Sequence, residues 1–104
     1  MRTIRVTGGF ADYAVGMLEE VERKPLVLTD IRLALVADGA DIPGREDEAW
    51  VAPGAITYPN PWRARVSHLV TDAVAPGEYW LWALPIDNPT ATPVRAGNHM
   101  IVVT

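Results

Sequence analysis

Ser67, His68 and Asp72 are the residues whose types invite hydrolytic chemistry: a hydroxyl nucleophile, a base and an acid to orient it. Their spacing works against it. Adjacent residues on a strand point to opposite faces, so Ser67 and His68 cannot meet as a nucleophile–base pair there. His68 is expected to be a partly buried, hydrogen-bonded histidine on the face of Trp62 and Val66. His99 is expected at the surface or at the edge of the last strand. The acids Asp38, Asp41, Glu46, Asp47 and Glu48 raise the question of calcium. They lack the alternating ligands, fixed glycine and closing glutamate of an EF-hand loop. Residues 38–48 therefore read as a solvated acidic loop. Gly8-Gly9 means a turn and no phosphate cradle, and Pro89 blocks the Asn88-Pro89-Thr90 sequon. Arg63 and Arg65 project from one strand face, where they are either solvated or paired with acidic partners. The expectation is a protein that is not an enzyme, with no catalytic residue, no metal ligand and no cofactor.

The whole chain narrows the classes further. Its 104 residues fit one domain spanning 1–104, and 49% hydrophobic content is enough to build a core. The net charge of −4 argues against a phosphate-backbone binder, so no nucleic-acid partner is expected. With no cysteine, a disulfide framework, thiolate zinc sites and thiol nucleophiles are all excluded. No apolar run reaches membrane-spanning length, so no membrane partner is expected. Met1-Arg2-Thr3-Ile4-Arg5-Val6 lacks a signal-peptide apolar stretch, which points to synthesis and folding in a cytoplasm.

Gly and Pro interrupt short apolar runs along the chain, the pattern of many strands and turns. Residues 3–7 read as a first strand. Residues 13–21 admit either a strand or a helical turn. Residues 25–28 are a short extended piece, and residues 31–36 alternate Ile31, Leu33 and Leu35 against Arg32, Ala34 and Val36. Trp50-Val51-Ala52 reads as a short edge strand, and Pro53-Gly54 and Pro59-Asn60-Pro61 as turns. Strands follow at residues 62–70 and 78–86, and a last one lies within 93–104. About seven strands and no clear helix make an all-β sandwich the expected fold.

Ala73-Val74-Ala75-Pro76-Gly77-Glu78-Tyr79 resembles the tyrosine corner of immunoglobulin-like sandwiches, in which a tyrosine hydroxyl bonds back to upstream backbone. Gly77 and Tyr79 carry that resemblance, and Leu81 stands where an antibody domain would have cysteine. The fold implied is a disulfide-free immunoglobulin-like β-sandwich. If Tyr79 faces the core, so do Leu81 and Ala83, and Trp80, Trp82 and Leu84 lie on the outer face. That face would be an exposed apolar stripe of the kind that marks a partner surface. In the other assignment the tryptophan face is the core and Tyr79 sits at an edge. Trp50, beside the acidic loop, is a further contact candidate.

Gly77–Ala83, then Asp87-Asn88-Pro89, Pro93-Val94 and Gly97 before a closing apolar strand, resemble a type of small protein from actinobacteriophage structural gene modules. The motifs lie in the C-terminal third, and the rest matches by layout. The resemblance implies a virion protein: a minor head, decoration or head–tail connector component docking on major capsid, portal, connector or tail subunits. It also implies several copies in the particle. A carbohydrate or cell-surface binding module, stacking sugars on exposed Trp and Tyr, is the alternative.

Overall fold

The computed structural model describes residues 2–4, 12–20, 22–26, 28 and 30–104. Among them are eight strands and no helix: β1 (Arg2–Ile4), β2 (Asp12–Glu19), β3 (Ile31–Ala37), β4 (Ala55–Asn60), β5 (Arg63–Val70), β6 (Gly77–Pro85), β7 (Val94–Arg95) and β8 (Ile101–Val103). They form two sheets. One runs β1-β8-β6-β3, with β7 also pairing β6; the other runs β2-β5-β4. The protein is an all-β sandwich. Gly8-Gly9, Val21, Val27 and residues 5–7 of the expected first strand lie outside the described residues.

Alternation along the strands builds the core between the sheets. Ala14 and Leu18 of β2, and Ala64, Val66 and Val70 of β5, point inward and are buried. From the other sheet come Leu33, Leu81, Ala83, Ile101 and Val103. Each fully buried Leu, Ile or Val contributes about 1.5–3 kcal/mol relative to exposure. Residues 12–19 are a strand because Ala14, Gly16 and Leu18 alternate with Tyr13, Val15 and Met17; a helical period would scatter that pattern.

Three elements depart from the sequence reading. β4 runs through Pro59, where a turn was expected. It lies at a sheet edge, and its register shifts between Thr57 and Asn60. An edge position with a bulge is where a strand tolerates proline. The expected edge strand at Trp50-Val51-Ala52 shrinks to one bridge, Leu33 with Val51. The final strand is broken into β7 and β8 around Gly97, whose φ of 96° lies in the left-handed region that favours glycine.

Gly16 sets how closely β2 approaches that break. A Cβ there would lie 2.6 Å from the Ala96 carbonyl oxygen and 2.8 Å from the Ala96 Cβ. Backbone cannot yield cheaply, so the contact accepts only glycine. Gly16→Ala is therefore expected to destabilise the fold by about 1–3 kcal/mol of overpacking, read as a lower urea unfolding midpoint. An unchanged midpoint would mean that β2 and residue 96 do not touch.

Candidate interaction surface

β6 is apolar on both faces, and each face meets a different fate. Leu81 and Ala83 enter the core between the sheets. Leu84 points the other way, into a second cluster with Ala34, Val36 and Trp50, against which Trp82 and Ile86 pack. The cover is the 38–50 loop. Trp50 folds back onto the sheet, and its indole N–H donates to the carbonyls of Pro43 (3.3 Å) and Gly44 (3.0 Å). Arg45 fastens the same loop, donating to the carbonyls of Ile86 (2.5 Å), Pro85 (3.4 Å) and Ala91 (3.4 Å).

The expected free stripe is thus corrected. Leu84 is 1% exposed and Trp50 7%, so neither offers surface to a partner. The reason is that an apolar outer face is cheaper to cover within the chain than to leave in water. Trp80 and Trp82 are half-buried. The Arg95 guanidinium lies 3.9 Å from the Trp80 ring centroid and 5.2 Å from that of Trp82. The Trp80 indole N–H donates to Asp38 at 2.9 Å. Residues 38–48 are therefore more than a solvated loop: their acids are exposed, but their backbone is a fastened lid.

Tyr79 packs against the main core, and its hydroxyl donates to the Ala75 carbonyl at 2.6 Å. Gly77 lies beside that ring, but a Cβ there would meet it at 3.5 Å, an ordinary contact, so the corner does not demand glycine.

The surface that sequence reasoning passed over is the outer face of β2-β5-β4. Register sets Tyr13 opposite Leu69, Val15 opposite Ser67 and Met17 opposite Arg65. Tyr13 is 45% exposed and Leu69 46%. Val15 and Met17 are half-buried, and Arg65 is exposed. The Tyr13 ring lies over Gly54, where a Cβ would come within 2.8 Å of it. The face continues over the β2 edge into a cleft of ≈ 590 Å³, whose lining includes Val15, Met17, Arg65, Arg95 and Asn98. The signal was the same alternation that built the core: Tyr13, Val15 and Met17 are apolar at the outward positions.

Ser67 lies on this outer face, whereas His68 points inward opposite Ala14, so the two do not meet. Arg63 pairs with Glu19 at 3.2 Å. Among the described residues, no group of three or more His, Asp or Glu could hold a metal ion, and no helix is long and apolar enough to cross a membrane.

His68 differs from its expected, hydrogen-bonded state. Its Nδ1 is buried without a hydrogen-bond partner, and burial lowers its pKa from the ordinary 6.5. The unfolded chain takes up this proton near pH 6.5, before the folded one does. Stability is then complete above that value and falls as pH drops toward the lowered folded pKa. Urea midpoints measured from about pH 7.5 to about pH 5 should decline, and His68→Gln should flatten that decline. An identical slope in the variant would assign the effect to other groups.

No family model matches the chain, and no curated protein or solved structure matches it.

Proposed function

We propose that this protein is a non-catalytic assembly domain that docks on other protein subunits through the outer face of β2-β5-β4. The observation behind this reading is the pair Tyr13 and Leu69. They are cross-strand neighbours, both large, both nearly half exposed, and continuous with Val15 and Met17. The same chain covers its other apolar outer face with a fastened loop. An apolar face left open beside one that is closed is best understood as a surface completed by a partner.

The setting proposed is a virion, with the domain docking on capsid, connector or tail subunits, as the C-terminal motifs imply. We also read the sandwich as immunoglobulin-like. Two features support it: β2-β5-β4 faces a sheet containing β3, β6 and β8, and Tyr79 bonds back to Ala75. β1 departs by pairing in parallel with β8. Sugar stacking on the tryptophans is disfavoured, because Arg95 occupies the Trp80 ring face that a sugar would use.

Leu69→Glu tests the reading. Leu69 is exposed, so the fold should survive within about 0.5 kcal/mol. Tagged wild-type protein recovered from infected cells should bring down capsid, connector or tail subunits in stoichiometric amounts, and the variant should not. Equal recovery by a folded variant would remove this face from the account.

A further inference from the structure

We infer that the cleft at the β2 edge receives the acidic 38–50 loop of a second copy of this chain. The inference rests on the reading of the β2-β5-β4 face as a protein-docking surface, and it names one occupant for the cleft end of that face.

The loop has the form of an insert. Its Ile42 is exposed at 40%, with Asp41 on one side and Glu46 a few residues on. Asp38 and Asp47 are engaged, accepting from the Trp80 indole and the Ala49 amide. Asp41, Glu46 and Glu48 make no ion pair among the described residues. The backbone beneath them is fixed. Trp50 holds the Pro43 and Gly44 carbonyls, and Arg45 holds residues 85, 86 and 91. A tip held in place loses little entropy on docking.

The cleft has the complementary form. Val15 and Met17 supply apolar wall and Arg65 supplies positive charge, while the lining's Glu19 is paired with Arg63 and the Arg95 guanidinium lies over Trp80. Arg65 is exposed and makes no ion pair among the described residues. Its volume of ≈ 590 Å³ is in the range of about 300–1,000 Å³ that encloses small ligands, ample for an Ile-Pro tip. A chain of net charge −4 repels its own copies on average. Contact between copies then favours opposite-signed regions, and this loop and this cleft are such a pair.

Charge exchange tests it on the intact chain, by sedimentation velocity across micromolar to millimolar concentrations. Wild-type protein should self-associate, and added salt should weaken the association. Arg65→Glu should weaken it at least about tenfold, because an acidic loop then meets an acidic cleft. Asp41→Arg combined with Glu46→Arg should do the same, because the 41–46 tip then carries positive charge against Arg65. A mixture of the two variants should associate again, since the tip of each loop then meets a charge of opposite sign at position 65 of the other variant. A mixture that stays monomeric, or variants that associate as the wild type does, would overturn the inference. If wild-type protein is monomeric throughout while Leu69→Glu still abolishes recovery of particle subunits, self-docking falls and the docking face stands. If wild-type protein is monomeric and Leu69→Glu recovers the same subunits, both fall.

Discussion

A strand that is apolar on both faces must be covered twice, and β6 imposes that demand on the rest of this molecule. Leu81 and Ala83 are covered by the second sheet. Leu84 and Trp82 point away from it, and an uncovered row of such size would cost several kcal/mol. The chain answers with the 38–50 loop. Trp50 supplies the apolar cover, and the loop's carbonyls satisfy its indole N–H. Arg45 then ties the loop to the chain just after β6. The acids that make this segment soluble ride outside the cover.

The opposite sheet has no comparable burden, because β2 and β5 each bury one face only. Their outward residues are free to serve something else. Tyr13, Val15, Met17 and Leu69 are apolar at positions where a sheet facing only water would carry polar side chains. Arg65 stands beside them on the same face, opposite Met17. The two outer faces thus differ: one is closed by the chain's own loop, and the other leaves Tyr13 and Leu69 nearly half exposed. That difference is what the proposed docking role rests on.

Much of this was legible in the sequence. Parity along residues 78–86 separated Leu81 and Ala83 from Trp80, Trp82 and Leu84, and the sheet keeps that separation. The Tyr79 hydroxyl bond follows from a short local motif. What the sequence hid was non-local. The rule that side chains alternate tells which face a residue takes, but not whether a distant loop lies on that face. Trp50 is more than thirty positions from Leu84, and no local pattern announces that they meet. The acids of 38–48 signalled solvent, which is true of their side chains, while Arg45 and Trp50 fix the backbone they sit on. β4 was hidden for a different reason: its proline reads as a turn unless the strand is known to be an edge. The lone buried Nδ1 of His68 was equally illegible, since a partner's absence is a property of the folded interior.

Hydroxyl-radical footprinting of the free chain and of the proposed particle, read side chain by side chain, tests the central claim most directly. The account predicts that Trp50 and Leu84 are protected in the free chain, because the loop covers them. It predicts that Tyr13, Met17 and Leu69 react in the free chain and become protected on assembly. Trp50 and Leu84 reacting freely in the isolated chain, and becoming protected only in the particle, would contradict it. The tryptophan face would then be the docking surface, and the 38–50 loop no lid.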